Sequence, residues 1–178
     1  MVSATPSGGW LQGSPTVPGL GFCITTRGQM FWLDEGLPTT MRPGVRPRTT
    51  LSPVMVTKDG AAWLALGAPG GDQQCQWPLT ALLRLLHHGM APHVAIESPN
   101  FHAVHYPSSF YPRRLALGRA IVEGRMPEAT VRGLEERGHQ VVRDLPWSWG
   151  RVCMVENRDG LLRAAASPRQ NQAYAICR

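Results

Sequence analysis

The sequence predicts an α+β domain in which several antiparallel strands pack against two main helices. Residues 54–57 and 62–66 have the composition of strands, and Asp59-Gly60 between them is a strong hairpin signal. The apolar period then becomes helical, and Gly89 is a candidate stop. A chain of 178 residues with 43% hydrophobic content can bury one core. We therefore expect a single domain over residues 1–178.

The remaining elements follow from local signals. Asp72 is a candidate N-cap for the first main helix, whose leucines predict a buried helix: Leu79, Leu82, Leu83, Leu85 and Leu86. A helical turn is predicted at 94–97. The second main helix is predicted at 128–137, between Pro127 and Gly138. Strands are predicted at 22–27, 139–142, 151–156 and 161–166, with a further one at 171–177.

The charge pattern argues against a nucleic-acid partner. The net charge is +6, but the 18 basic residues are scattered and form no stripe with interleaved aromatics. Solvated surface is the better interpretation. No apolar run is long enough to span a bilayer, and the first residues lack the pattern of a signal peptide. We expect neither nucleic-acid binding nor a membrane span in this chain.

The cysteines and histidines predict no metal site. The four cysteines follow no metal-ligand or disulfide-framework spacing, and Cys23 and Cys153 lie in apolar runs typical of buried thiols. This usage indicates a reducing compartment such as the cytoplasm. His102 and His105 are two residues apart, but no cysteine or carboxylate completes a ligand set, so packing is favoured. No metal and no cofactor are expected.

Two short motifs carry the chemistry. Thr49 and Thr50 place two hydroxyl groups ahead of the hairpin, and Gly70-Gly71 lies where a strand gives way to a helix. Backbone N–H groups at a helix start are orphan donors, and glycines let a reacting carbonyl approach them closely. An oxyanion site can be built in this way. Taken alone, the glycines are more typical of a tight strand-to-helix turn than of a catalytic site, and the threonines are typical of a strand.

Several motifs in one order carry a family resemblance. They run as follows: Met1-Val2-Ser3, Gly21-Phe22, Arg46-Pro47-Arg48-Thr49-Thr50-Leu51-Ser52-Pro53, Lys58-Asp59-Gly60, Gly67-Ala68-Pro69-Gly70-Gly71, Ile96-Glu97-Ser98-Pro99-Asn100-Phe101-His102, Gly138-His139 and Ser167-Pro168-Arg169. Read together, they resemble the carboxyl-terminal part of the small subunit of gamma-glutamyltransferase, a family of N-terminal-nucleophile hydrolases. The likeness covers nearly the whole chain.

The resemblance implies both a fold and a reaction. The family enzyme cleaves itself into a large and a small subunit that share an αββα sandwich. The new amino-terminal threonine attacks a gamma-glutamyl amide, with its own amine as base, and the acyl group passes to water or an amine. By this likeness Gly70 and Gly71 match the oxyanion glycines, and Thr49 and Thr50 match the serines that hold the substrate carboxylate. Family members are often exported, so a periplasmic or extracellular location is also open.

Several positions depart from the family pattern. The family nucleophile precedes the segment that corresponds to Met1-Val2-Ser3, so the first strand is expected to be missing and no nucleophile is assigned here. The threonine and asparagine that place the family's nucleophile and substrate correspond to Ser7 and Gly9. The acid that receives the glutamyl amine falls near Gln29-Met30, where no carboxylate stands. Asp34 and Glu35 are the candidates to replace it.

The sequence-based prediction is an incomplete catalytic half of a gamma-glutamyltransferase-like amide hydrolase or acyltransferase. Its partners would be a large subunit, or the upstream part of the same precursor, and a small gamma-glutamyl or related amide. The chain alone should be inactive and prone to associate. Two alternatives stay open: an acylase acting on another amide, and a non-catalytic binding or assembly domain that retains the fold. A basic nucleic-acid binder, which would show steep salt dependence, ranks last.

Overall fold

The computed structural model describes residues 1–7, 14–171 and 173–176. It is an α+β structure with two sheets. Strands β1 (Val54–Lys58), β2 (Ala61–Gly67), β6 (Cys153–Arg158) and β7 (Leu161–Ala166) form an antiparallel sheet in the order β1-β2-β6-β7. Strands β3 (Phe101–Ala103), β4 (Arg119–Val122) and β5 (Gln140–Arg143) form a second sheet in that order. The predicted fold class, with antiparallel strands and flanking helices, is confirmed.

Two hairpins with the same turn chemistry build the four-stranded sheet. Asp59-Gly60 joins β1 to β2, and Asp159-Gly160 joins β6 to β7. All four residues have positive φ, between 50° and 81°. That combination is typical of type I′ turns, whose twist matches that of paired strands. The predicted hairpin at 54–66 and the predicted strand at 161–166 are confirmed.

Helices cover one face of this sheet. They are α1 (Gln76–His88) and α2 (Pro92–Glu97). The inward side chains of the sheet, such as Leu64 and Met154, are buried against Trp77 of α1 and Ile96 of α2. Gly89 ends α1 in the left-handed conformation, as predicted, with φ of 62°. This packing forms the main core and fixes the start of α1 against the end of β2.

The second sheet is a small β-α-β unit extended by β3. Helix α3 (Glu128–Glu135) connects β4 to β5, which pair in parallel, whereas β3 pairs antiparallel to β4. Its core consists of Val122, Met126 and Val131. The predicted helix after Pro127 is confirmed, although it ends two residues early. The sequence did not predict β3 and β4, because both are short and lie among prolines and loops.

A buried ion pair connects the two sheets. Glu123, directly after β4, and Arg169, after β7, are both fully buried, and Arg169 Nε lies 2.6 Å from Glu123 Oε1. Arg169 also donates to the backbone carbonyls of Ile96 and Ser98 at the end of α2. Glu123 accepts from the backbone N–H groups of Asn100 and Trp149. One pair of side chains thus joins β4, α2 and the segment that follows β7.

Two predicted strands are wrong. At 22–27 there is only an isolated bridge between Cys23 and Thr16, followed by a 3-10 turn at Arg27–Met30. Phe22 and Ile24, on either side of the buried Cys23, remain 44% and 54% exposed, although their backbone groups hydrogen-bond to Val17 and Pro15. At 171–177 the structure has a 3-10 turn at Arg169–Asn171 and no strand in 173–176; residues 172 and 177 lie outside the described ranges.

Three further predictions need correction. Asp72 does not cap α1, which begins at Gln76 with Cys75 at the N-cap position. The leucines of α1 are not all buried: Leu85 is in the core, whereas Leu79, Leu83 and Leu86 are 54%, 42% and 44% exposed. A helical period shows that a face is apolar, but only the fold decides what covers it. Cys23 is buried as predicted, but Cys153 is exposed on the outer face of the four-stranded sheet.

Candidate active site

The turn between β2 and α1 requires glycine at two positions. Gly70 has φ of 136°, and a Cβ there would lie 2.2 Å from the Trp77 ring. Gly71 has φ of 62°, and its Cβ would lie 3.2 Å from the Phe110 ring. Residues with a side chain rarely adopt these conformations. The two glycines therefore let the main chain pass between two aromatic rings.

Asp72 connects this turn to a second loop. Its carboxylate accepts hydrogen bonds from Ser108 Oγ at 3.0 Å, from the Ser109 backbone N–H at 2.9 Å and from the Ser109 hydroxyl. Arg48 lies 3.9 Å away and is half exposed. The same loop carries Phe110, so Asp72 fixes both the turn and the ring against it.

Gln74 links the turn to the segment that carries Thr50. With its side-chain amide oriented so that each atom has a partner, Oε1 accepts from the Gly71 N–H at 3.2 Å. Its nitrogen donates to the carbonyls of Thr50 and Ala68, at 3.3 and 3.1 Å. Gln74 is 4% exposed. The Gly71 N–H therefore has an internal acceptor that an incoming oxyanion would have to displace.

A cleft of about 600 Å³ opens beside this turn and is called the candidate cleft below. Its lining combines glycine backbone, two arginines, polar side chains and two aromatic rings. It is lined by Pro6, Ser7, Arg27, Gln29, Pro69, Gly70, Gly71, Asp72, Gln73, Gln74, Ser108, Phe110, Trp149 and Arg151. A concave site that combines aromatic rings with polar and charged groups can hold a small molecule and orient it.

The candidate cleft brings together three of the six predicted site residues. Gly70, Gly71 and Ser7 line it. Thr50 is 7% exposed, and its Oγ1 is buried with no hydrogen-bond partner in the described part of the chain. Thr49 is exposed, and its Oγ1 accepts from the Leu51 N–H at 3.1 Å. Neither threonine is among the lining residues.

The sixth residue, Gly9, lies outside the described residues. The predicted replacements for the family's acid are both exposed, and neither Asp34 nor Glu35 is among the residues that line the cleft. At the position where the resemblance expects an acid, Gln29 lines the cleft and Met30 is buried in the protein. Among the described residues of the lining, Asp72 is thus the one acidic side chain, and its carboxylate already accepts three hydrogen bonds.

Two arginines give the cleft a positive character. Arg27 and Arg151 are 9% and 6% exposed, and burial lowers the pKa of each guanidinium. Arg27 donates through Nη2 to the Ser7 hydroxyl, and its Nε is buried without a partner in the described residues. Arg151 donates through Nη1 to Gln170 Oε1 at 2.9 Å. Anionic groups would be favoured here.

The wall behind the cleft contains a buried histidine. His102 is 2% exposed and packs edge-on against Trp149, with ring centroids 4.9 Å apart, and against Trp77 at 5.7 Å. Burial lowers its pKa to about 4, against a smaller raising effect of Asp144. His105 instead contacts the ring of Tyr106. Among the described residues, no group of three or more His, Cys, Asp or Glu is arranged to hold a metal ion.

Sequence reasoning missed the side chains that position the turn. Gln74 and Asp72 act through residues 24 and 36 to 37 positions away, and no local motif signals such contacts. Arg27 was hidden inside a segment predicted to be a strand. The motif glycines were found because their backbone requirement is local.

The α+β fold with a glycine turn beside a cleft agrees with the class of N-terminal-nucleophile hydrolases that the sequence motifs predicted. More particularly, the model of the family "Gamma-glutamyltranspeptidase" matches residues 1–177, and the chain belongs to this family. Curated relatives in this group include proteins named glutathione hydrolase and acylase. The family prediction made from the motifs is confirmed.

Two curated relatives illustrate how the members of this family differ in name. The chain is 32% identical over 164 residues to the "Glutathione hydrolase-like YwrD proenzyme" of Bacillus subtilis (strain 168), covering 86% of this chain and 29% of that protein. It is 31% identical over 168 residues to the "Acylase ACY 1 proenzyme" of Pseudomonas sp. (strain SE83), and the match covers 93% of this chain and 28% of that protein. The chain thus spans under a third of the length of these relatives, both of which are proenzymes.

Solved structures agree on the fold. A structure of LmbA2991HD is 48% identical, with a TM-score of 0.86, and the match covers 98% of this chain and 31% of that one. Gamma-glutamyltranspeptidase from Pseudomonas nitroreducens, complexed with L-DON, gives a TM-score of 0.76 at 20% identity. The match covers 99% of this chain and 93% of that one. At that identity the likeness concerns the fold alone. Within the described residues, no helix has the length and apolar character that a membrane crossing requires.

Proposed function

We propose that the candidate cleft is the acyl-binding and oxyanion-stabilising part of an enzyme that hydrolyses amides or transfers their acyl groups. The observation that carries this proposal is the Gly70-Gly71 turn, held open between Trp77 and Phe110 at the edge of the cleft. Backbone N–H groups fixed in this way stabilise an oxygen that becomes negative in the transition state. A gamma-glutamyl amide, as in glutathione, is the first candidate substrate.

The attacking residue is proposed to come from outside residues 1–178. Among the described residues that line the cleft, the hydroxyl groups belong to Ser7 and Ser108. Ser7 accepts from the cation Arg27, and Ser108 donates to a carboxylate that also orders the neighbouring loop. A serine becomes a strong nucleophile when a base takes its proton, and the arginine contact cannot do that. The family resemblance supplies the alternative, an amino-terminal threonine with its own amine.

In the proposed reaction, this chain supplies the N–H groups of the Gly70-Gly71 turn. The nucleophile oxygen attacks the amide carbonyl, whose oxygen gains the negative charge and accepts from the turn's N–H groups. When the carbon–nitrogen bond breaks, the leaving amine takes the proton that the nucleophile's hydroxyl gave to its base, and the acyl group stays on the nucleophile. Water or an amine then takes the acyl group. Gln74 would have to release the Gly71 N–H, or share it, during attack.

An acylase that acts on another amide is the second candidate. The observation that favours it is the lining of the cleft: of the lining residues that the structure describes, Asp72 alone is acidic, and Ser108 and Ser109 donate hydrogen bonds to it. A gamma-glutamyl group carries an α-ammonium, which calls for an acidic partner. A donor without that ammonium needs none.

The test is release of p-nitroaniline by the protein produced together with the rest of its precursor. We expect turnover of γ-glutamyl-p-nitroanilide or of an N-acyl-p-nitroanilide, and none from residues 1–178 alone. Gly71→Trp should lower the rate at least about 100-fold, because the indole fills the oxyanion site. Gly89→Trp is the matched control: its φ is also 62°, but nothing lies near its Cβ. Equal rates in the two variants would exclude this site.

A further inference from the structure

We infer that a second cavity, next to the candidate cleft, binds a small molecule in which an anionic group is joined to an apolar body. The cavity has a volume of about 880 Å³ and is called the arginine cavity below, because Arg48, Arg114 and Arg119 all line it. It adjoins the candidate cleft at Asp72, but the glycines of the β2–α1 turn are not among its lining residues. The inference concerns binding in this cavity and does not depend on the reaction proposed for the cleft.

The first observation is an excess of positive charge. Three arginines line one concave surface, whereas Asp72 is the one acidic side chain among the lining residues that the structure describes. The Asp72 carboxylate is already engaged, since it lies 3.9 Å from Arg48 and accepts from Ser108 Oγ and the Ser109 N–H. Cations that surround a cavity raise the local concentration of anions in it.

Two of these arginines have no carboxylate partner among the described residues. The structure shows no ion pair from Arg114 or Arg119 to any described Asp or Glu. The residues outside the described ranges (8–13, 172, 177 and 178) contain no Asp or Glu side chain. Because the planar donors of a guanidinium match the paired oxygens of a carboxylate or phosphate, these two side chains can hold an anionic group.

The second observation is the apolar part of the same lining. Val104, Ala116 and Ile121 contribute to it, together with Leu115 and Tyr106, which are 48% and 74% exposed. A ligand that covered these side chains would remove apolar surface from water, which favours binding. The cavity volume also falls within the range of about 300–1,000 Å³ that is typical of small-molecule sites. An ion without an apolar body would leave this surface exposed.

The third observation is that the wall of the cavity is held in place. The loop between β3 and β4 forms this wall, and its ends are joined by a hydrogen bond of 2.9 Å from the Ala116 N–H to the Val104 carbonyl. Within the loop, the Ser108 N–H donates to the Arg114 carbonyl, also at 2.9 Å, and Asp72 accepts from the Ser108 hydroxyl. A site that is already ordered loses less conformational entropy when a ligand binds.

The experiment measures binding of phenyl phosphate by titration calorimetry, to the protein in the form that cells produce and at constant ionic strength. Inorganic phosphate carries the charge without the ring, and benzyl alcohol carries the ring without the charge. We expect each of these two ligand controls to bind at least about tenfold more weakly than phenyl phosphate. The double variant Arg114→Gln/Arg119→Gln should weaken phenyl phosphate binding at least about tenfold, because it removes charged hydrogen bonds.

Arg42→Gln/Arg46→Gln is the matched protein control. It removes the same two charges from exposed arginines that do not line the cavity, and it should leave the affinity for phenyl phosphate unchanged. Near-UV circular dichroism verifies that each double variant is folded.

Cys75 provides a second measurement that needs no substitution. Its thiol is exposed and lines the arginine cavity, so phenyl phosphate should protect Cys75 from alkylation by iodoacetamide, as followed by peptide mass spectrometry. The ratio of the alkylation rates with iodoacetate and iodoacetamide reports the local charge, because the reactivity of the thiol itself cancels. This ratio should fall at least about threefold in Arg114→Gln/Arg119→Gln and stay unchanged in Arg42→Gln/Arg46→Gln.

Three results would overturn the inference. They are an unchanged affinity for phenyl phosphate in Arg114→Gln/Arg119→Gln, equal binding of phenyl phosphate and either ligand control, and a rate of Cys75 alkylation that saturating phenyl phosphate does not alter. If the double variant does not fold, protection of Cys75 in the unsubstituted protein decides. The amide-hydrolysis proposal is judged separately by the Gly71→Trp assay.

Discussion

Gly70 shows how much a single atom can matter at the β2–α1 turn. An added Cβ would lie 2.2 Å from the Trp77 ring, at a φ of 136° that disfavours any side chain. We expect Gly70→Ala to lower the free energy of unfolding by about 2–4 kcal/mol, combining overpacking with backbone strain. Gly89→Ala has only the strain and should cost about 1–2 kcal/mol. Urea unfolding measures both, and equal losses would contradict the packing argument.

His102 should make stability depend on pH. Its pKa is about 4 in the folded protein, against 6.5 for the free side chain, because burial disfavours the charged form. The unfolded state thus binds the proton more readily, and stability falls as the pH drops from about 6.5 towards 4. Between pH 7 and pH 5 this residue should cost about 2 kcal/mol.

Urea unfolding of His102→Gln at several pH values checks this. The variant should lose that part of the pH dependence, whereas His93→Gln, at an exposed position, should keep it. The range of pH 5 to 7 lies above the pKa of Glu123, so titration of this carboxylate does not interfere. Burial opposes its ionisation, but hydrogen bonds from Arg169 and from two backbone N–H groups lower its pKa. A pH profile unaltered by His102→Gln would contradict the assignment.

At the scale of elements, the Glu123–Arg169 pair should act as the joint between the sheets. Arg169→Met leaves Glu123 buried with its main partner removed, and loss of one partner of a buried pair costs about 3–5 kcal/mol. The exposed pair Arg143–Glu128 is the control, and Arg143→Met should cost no more than about 1 kcal/mol.

A double variant separates charge from packing in this joint. Glu123→Leu together with Arg169→Met removes both charges, so it should recover part of the loss. Amide hydrogen exchange should show the C-terminal end of α2 opening in Arg169→Met, because Arg169 donates to the carbonyls of Ile96 and Ser98. If Arg169→Met lowered the free energy of unfolding no more than Arg143→Met does, this would contradict the role of the Glu123–Arg169 pair in joining the sheets.

At the scale of the whole molecule, the outer face of the four-stranded sheet is the notable surface. Met55, Ala65, Val155 and Ala164 face one another across β1, β2, β6 and β7. Ala65 is 3% exposed, but Met55 and Val155 on either side of it are 50% and 40% exposed, and Leu162, two residues from Ala164, is 69% exposed. The proposed large-subunit partner, or the upstream part of the precursor, would cover this apolar face.

The isolated chain should therefore associate as its concentration rises. We expect sedimentation velocity to show concentration-dependent oligomers, and Val155→Lys to suppress them, since a charge at the centre of the face opposes burial. Leu33→Lys, a control at a position that is 84% exposed, should leave the oligomers unchanged. Monomeric behaviour of the unsubstituted chain at high concentration would contradict this prediction.

The sequence alone determined what depends on nearby residues. Asp59-Gly60, Gly89 and Pro127 mark turns and helix ends because their backbone preferences are local, and the ordered motifs identified the family. Tertiary structure decided which faces are covered and which distant side chains meet. The pairing of Glu123 with Arg169, the hydrogen bond from Gln74 to the Thr50 carbonyl and the exposure of Leu79 all depend on long-range packing. Apolar residues that recur at helical spacing indicate that one face of a helix is apolar. Only the neighbouring elements in space determine whether that face is buried.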